Sequence, residues 1–128
     1  MNEGKLFSPG NLRAAGSNPG YAKLLAYWQR SKYTLRYTGG LVPDVTQLLI
    51  KGKGIFTSAP EAHEPPRLRL LYEAIPMAFL IEKCGGRSSD GARSLLDIEV
   101  READARTQVA LGSAAEVARF DELVGPVE

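Results

Sequence analysis

Apolar positions along the chain switch repeatedly between helical and strand spacing. Leu24, Leu25 and Trp28, with Tyr21 at the margin, form one helical face. Asn18-Pro19 just ahead reads as an N-cap with proline in the first turn, so a helix is predicted over residues 19–31. Val45, Leu48 and Leu49 predict a shorter helix over 44–50, ended by the glycines at 52 and 54. Met77, Leu80, Ile81 and Cys84 recur at i, i+3, i+4 and i+7 and predict the longest helix. Gly85-Gly86 supplies its C-cap, and Pro76, tolerated only in a first turn, places its start near Tyr72 or Glu73. Val117, Phe120, Leu123 and Val124 give a last helical face, opened by Ser113 and Glu116 as a capping box and stopped by Gly125-Pro126.

Between these lie strand signals. Residues 33–37 (YTLRY) alternate and are β-prone, and Thr38-Gly39-Gly40 after them lets the backbone turn sharply or approach a ligand. Ile55-Phe56-Thr57 reads as a short strand, as does 87–89 ahead of the Asp90-Gly91 turn. Leu96, Ile98 and Val100 alternate with Asp97, Glu99 and Arg101, a half-exposed strand, and 107–111 is a more buried one. The first twenty residues carry Ser8-Pro9-Gly10 and Ser17-Asn18-Pro19-Gly20, which predicts an extended lead-in. Residues 58–66 (SAPEAHEPP) are loop. Helices alternating with strands predict a layered α/β/α fold, a mixed central sheet covered by helices, in a single domain.

Composition narrows the chemistry. The 128 residues are 44% hydrophobic and 24% charged, within the range of a globular domain that buries a real core. Sixteen basic against fifteen acidic residues leave a net charge of +1, so neither nucleic acid nor an acidic membrane is expected as a partner. Cys84 is the single cysteine and His63 the single histidine. This rules out an internal disulfide and a Cys/His metal cluster, and Cys84 is expected as a buried inert thiol. Residues 75–81 form the longest apolar run, too short to span a bilayer, and the N-terminus has no signal-peptide pattern. A cytoplasmic or plastid stromal location is expected.

One place concentrates charge. Arg67 and Arg69 stand just before the helix that carries Glu73 at its N-terminus. Two guanidiniums, a carboxylate and free N–H groups suit a phosphate, with or without a metal. They equally suit a surface helix start with a dipole-favourable glutamate. Asp97 and Glu99 read as a solvated strand face, and Asp121 and Glu122 as helix surface.

The segments NEGKLFSPGNLRA, KYTLRYTGGLVPDV, KGKGIFT, RLRLLYEAIPMAFLIEKCGG, SSDG, SLLDI and TQVALGSAAEV, in this order, resemble the C-terminal half of the class I fructose-1,6-bisphosphatase family. KLFSPGNLR resembles its sedoheptulose-1,7-bisphosphatase branch. The resemblance covers essentially the whole chain. It implies that Glu73 is a ligand of a divalent metal, usually Mg²⁺, and that Arg69 acts catalytically on the phosphate that is hydrolysed. Arg67 stands where the family has a lysine on sugar or distal phosphate, and lysine and arginine are not equivalent at a tight site. Asn2 and Tyr37 match residues on the distal phosphate, Gly39 and Leu41 match backbone contacts to the sugar, and Arg36 matches an arginine that reaches a neighbouring subunit's site. Lys5 and Ser58 stand where fructose-specific members have tyrosines.

The family's main metal-binding motif, Asp-Pro-Leu-Asp-Gly-Ser, belongs to an N-terminal half with no counterpart in these residues. The resemblance therefore implies the sugar-phosphate-binding half of a Mg²⁺-dependent bisphosphatase, inactive alone. Sedoheptulose 1,7- or fructose 1,6-bisphosphate would be its substrate. A non-catalytic sugar-phosphate-binding or regulatory module and a truncated remnant are the alternatives. The expected partners are a sugar bisphosphate, a second copy of the chain in a homo-dimer or higher homo-oligomer, or a separate N-terminal half. A domain that normally packs on another would leave an apolar face uncovered.

Overall fold

The computed structural model describes residues 1–127. Five strands form a mixed sheet: β1 (Leu6–Pro9), β2 (Thr34–Leu35), β3 (Ile55–Ser58), β5 (Arg87–Ser89) and β7 (Val109–Gly112), in the order β2-β1-β3-β7-β5. β1 runs parallel to both β2 and β3, whereas β7 is antiparallel to β3 and β5. A separate antiparallel ribbon joins β4 (Leu68–Arg69) to β6 (Arg106–Thr107). Four helices cover the sheet: α1 (Pro19–Arg30), α2 (Leu41–Lys51), α3 (Ile75–Lys83) and α4 (Ala114–Leu123). The expected α/β/α layering is present.

Period-two alternation in the strands divides the core into two clusters. Leu6, Phe56, Val109 and Leu111 face one side, where Val45 and Leu48 of α2 and Ala74, Ala78 and Ile81 pack. Phe7, Ile55 and Ala110 face the other, against Tyr21, Leu24 and Trp28 of α1 and Val117 and Phe120 of α4. Phe7 stacks on Trp28 with ring centroids 4.7 Å apart. Asn18 caps α1 as its sequence predicts, its side chain accepting from the Tyr21 N–H, a contact generally worth about 1 kcal/mol. Tyr21 is fully buried rather than marginal, and burial, opposed by its hydrogen bond with Thr57, pushes its phenol up to about 12.

Several expectations are corrected. The extended lead-in is in fact β1, a buried inner strand between β2 and β3, followed by a short 3-10 helix (Leu12–Gly16). The strand expected over 33–37 shrinks to an exposed two-residue edge strand, β2. Leu96, Ile98 and Val100 belong to no strand. A 3-10 turn (Leu95–Asp97) buries Leu95 instead and leaves Leu96 exposed.

The central helix starts earlier than expected, with a π-helical turn (Leu70–Ala74) that runs into α3 with Pro76 in the first turn. That wider turn rotates α3 relative to a regular helix begun at the same point. The buried stripe is Leu70, Ala74, Ala78 and Ile81, while Leu80 and Cys84 point to solvent. The predicted face thus holds at Ile81 and, partly buried against the core, at Met77, and is wrong at Leu80 and Cys84. Cys84 is not a buried thiol.

Ser113 does precede α4, yet it makes no capping box. Its hydroxyl donates to the Asn2 carbonyl and accepts from the Gly54 N–H. Glu3 caps α4 instead, accepting from the Ala115 N–H. Glu116 is buried and takes hydrogen bonds from the Tyr33 hydroxyl and the Arg119 guanidinium, which lies over the Tyr27 ring. Asp121 is not plain surface, because it accepts a hydrogen bond from the Ser89 hydroxyl.

Candidate functional site

The carboxyl ends of β1 and β2, which run parallel, open into a pocket of about 450 Å³. Strand ends of this kind are where open α/β sheets place ligands, because the chain leaves the sheet there and gives up backbone groups to the solvent side. Gly10 follows β1 and donates to the Thr57 carbonyl. A Cβ there would lie 2.9 Å from the Phe56 ring and the Thr57 carbonyl, so only glycine lets the turn pack this close. Asn11 is buried and donates through Nδ2 to the Ala59 carbonyl, which pins the turn to the strand end of β3. Arg13, Leu35, Tyr37 and Arg67 complete the walls.

The loop after β2 is held from below. Asp44, in the first turn of α2, is almost completely buried, and its Oδ1 accepts from both the N–H and the hydroxyl of Thr38. The Thr38 hydroxyl in turn accepts from the Gly40 N–H. Gly39 takes φ +92°, which a residue with a Cβ rarely adopts, and its backbone lies beneath the Tyr37 hydroxyl. Leu41 opens α2 and is partly buried against the first core cluster, as is Leu68. Gly39 and Leu41 follow Tyr37 in the chain but do not line the pocket.

From Arg67 the chain enters β4 and then the π-helical turn. The Arg69 N–H donates to Glu73 Oε1 at 2.8 Å, and the Arg69 guanidinium donates to the Asp104 carbonyl at 3.1 Å. Glu73 therefore does close the helix start, as its position in the sequence suggests, with one carboxylate oxygen committed there. Its other oxygen has no hydrogen-bond partner among the described residues. No group of three or more His, Cys, Asp or Glu among the described residues is placed to hold a metal ion. A divalent cation would find one carboxylate here, which is not a complete site.

The other expected residues separate. Tyr37 and Arg67 meet in the pocket. Arg36 follows β2 with its backbone bound to Phe7 and Ser8 and its side chain exposed. Asn2 is not brought to the pocket. Its N–H donates to the Gly52 carbonyl and its carbonyl accepts from Ser113, at the amino end of β1 and β3. Lys5 lies at that same end, and Ser58 is buried in β3. The asparagine at the pocket is Asn11, and the arginine beside it, Arg13, was not anticipated. Both were legible in principle, since Leu-Phe followed by Ser-Pro-Gly-Asn is a short strand ending in a turn.

Residues 1–125 match the family described as fructose-1-6-bisphosphatase, C-terminal domain. Over 121 residues the chain is 59% identical to the chloroplastic sedoheptulose-1,7-bisphosphatase of Spinacia oleracea, covering 94% of this chain and 31% of that protein. It is 41% identical over 125 residues to the class 1 fructose-1,6-bisphosphatase of Geobacter sulfurreducens, covering 96% of this chain and 39% of that protein. A crystal structure described as a sedoheptulose-1,7 bisphosphatase from Toxoplasma gondii superposes with a TM-score of 0.90 at 44% identity, over 94% of this chain and 37% of that one. Leishmania major fructose-1,6-bisphosphatase gives 0.86 at 29% identity, over 94% and 38%. The chain thus spans well under half the length of these relatives. It belongs to the fructose-1,6-bisphosphatase family and corresponds to the C-terminal domain of the family's fructose and sedoheptulose bisphosphatases.

Proposed function

We propose that the chain is the sugar-phosphate-binding part of a divalent-metal-dependent bisphosphatase acting on sedoheptulose 1,7-bisphosphate or fructose 1,6-bisphosphate. The observation that carries this is the pocket at the carboxyl ends of β1 and β2. Two arginines and a tyrosine line it, and no carboxylate does. A phosphate dianion suits such a lining, because each guanidinium adds charge and a planar fork of donors. The 59% identity to the spinach enzyme supports the sedoheptulose substrate over the fructose one.

In this proposal the distal phosphate sits against Tyr37 and Arg67. The sugar lies along Gly39 and Leu41, and the phosphate to be released meets Arg69. Glu73 would contribute one ligand to a metal, which would supply charge stabilisation on the phosphoryl group. The remaining metal ligands come from outside these residues, in the portion of the relatives that the chain does not span. Arg36, exposed between the pocket residues Leu35 and Tyr37, would reach a second subunit.

Phosphate release from both bisphosphates with Mg²⁺ tests the proposal. The chain alone should give none, and it should give turnover when mixed with the separately produced N-terminal portion of the spinach enzyme. Glu73→Gln should abolish that turnover. Turnover by the chain alone that survives Glu73→Gln would refute the assignment of Glu73.

A further inference from the structure

We propose that Glu116, Tyr33 and Arg119 form a pH-sensitive latch that fastens the base of β2 to α4 and loosens as pH rises.

Three elements meet at this point. Glu116, in the first turn of α4, is only 4% exposed. Its Oε2 accepts from the Tyr33 hydroxyl at 2.5 Å and its Oε1 from the Arg119 guanidinium at 2.8 Å. Arg119 also donates to the Tyr33 hydroxyl oxygen at 3.3 Å and lies 4.1 Å from the centre of the Tyr27 ring of α1. Tyr27 packs edge-on against Tyr33. Tyr33 is where the chain enters β2 after leaving α1. Just before it, Lys32 takes φ +62°, a left-handed conformation unfavourable for a residue with a Cβ. β2 is an exposed two-residue edge strand, flanked by the Thr34 N–H on the Lys5 carbonyl and the Arg36 N–H on the Phe7 carbonyl. A strained turn and a short edge strand belong to the part of a fold that opens first, so the tie at Tyr33 decides how often they do. Leu35 of β2 and Tyr37 after it line the cavity described above, so the latch bears on that wall.

The direction of the response follows from what faces the carboxylate. Burial strips its hydration and favours the neutral form. Tyr33 and Arg119 favour the ion, as does the Trp28 indole N–H, which does not meet hydrogen-bond geometry; Glu3, which caps α4 close by, disfavours it. The Arg119 side chain is 26% exposed, so water screens its charge. Burial outweighs these partners and holds the Glu116 carboxyl above its ordinary range. The Tyr33 phenol is raised as well, by burial and by Glu116, and remains a donor. A carboxyl raised in the closed state stabilises it fully below the ordinary value of 4.5 and progressively less as pH climbs through the raised one. Opening returns the ion to water.

Amide hydrogen exchange of the chain, followed by NMR from pH 5 to 8 and divided by the intrinsic rate at each pH, tests the latch. The Thr34 and Arg36 amides should open about threefold more, or beyond, at pH 8 than at pH 5, and no more steeply than about tenfold per pH unit, the limit for one proton. The amides of the β3–β7 pair should change less. Glu116→Gln, which keeps the size and an acceptor for Tyr33, should flatten the profile. Tyr33→Phe should raise the opening of Thr34 already at pH 5. A flat wild-type profile at Thr34 and Arg36, a profile that survives in Glu116→Gln, or an equal rise across the whole sheet would each overturn the latch. Should Glu116→Gln fail to fold, the wild-type profile and Tyr33→Phe decide, and exchange in Tyr33→Phe equal to the wild type at pH 5 refutes it.

Discussion

The two helical layers are alike on their inner faces and opposite on their outer ones. α1 and α4 bury Trp28, Leu24, Val117 and Phe120 against the sheet and turn Lys23, Gln29, Arg30, Ala118 and Glu122 outward. α2 and the 70–83 helix bury Val45, Leu48, Ala78 and Ile81, yet their outward residues include Val42, Ile50, Tyr72, Phe79 and Leu80, with Ile50 79% exposed. A helix apolar on one stripe is a surface helix. A helix apolar all round is one that something else covers. The inner stripe thus reports the fold and the outer stripe reports assembly. The relatives are more than twice as long as this chain.

The inner faces should be indistinguishable. Trp28→Ala in one layer should cost about 3–5 kcal/mol and Ile81→Ala in the other about 2–5 kcal/mol, read from urea midpoints. A much cheaper Ile81→Ala would mean that the α3 layer is not held to the sheet as tightly as the α1 layer, and the comparison would fail.

The next effect separates the layers by pH. Burial raises the Glu116 carboxyl above its ordinary range, against the opposing hydrogen bond from Tyr33 and the charge of Arg119. Burial raises Asp121 in the same direction. Both belong to α4. A group raised in the folded state gives stability that is complete below its unfolded pKa, about 4.5 for Glu116, and is lost as pH rises through the folded value. Glu116→Gln should therefore gain on the wild type as pH goes from 4.5 towards neutrality. Midpoints that stay parallel across this range would remove the claim.

The smallest effect on stability belongs to the outer faces. Phe79→Glu with Leu80→Glu on α3, or Ala118→Glu on α4, should each change folding stability by no more than about 0.5 kcal/mol per site in the monomer. A large loss from the α3 pair would show that those side chains serve this domain's own core.

Sequence pattern made α1 legible because cap, proline and apolar stripe agree there, from Asn18 to Trp28. It also made β3, β5, the C-terminal end of α2 and both ends of α4 legible, whereas α2 starts at Leu41, three residues before the expected 44. β1 was hidden. Leu6 and Phe7 are only two apolar residues, and Ser8 and Pro9 read as a turn although both are buried in the sheet. Asn2 opens an Asn-Glu-Gly motif yet lies at the amino end of β1, whereas Asn11, which reads as a loop residue, lines the pocket. The face of α3 was misread for two physical reasons. Alanines at 74 and 78 let the helix sit close to the sheet and contribute little to an apolar count. The larger Phe79 and Leu80 are apolar yet exposed. Tyr37 and Arg67 both line the pocket, and both could be singled out because Tyr-Thr-Gly-Gly and Arg-Leu-Arg-Leu-Leu-Tyr-Glu are local motifs that need no knowledge of topology.

Mass in solution by light scattering over a concentration series tests the uncovered outer face most directly. The wild type should rise above its 13.9 kDa monomer mass with concentration. The Phe79→Glu, Leu80→Glu variant should return to the monomer, and Ala118→Glu should behave like the wild type. A wild type that stays monomeric at every accessible concentration, or association that the α3 pair leaves unchanged, would contradict the account.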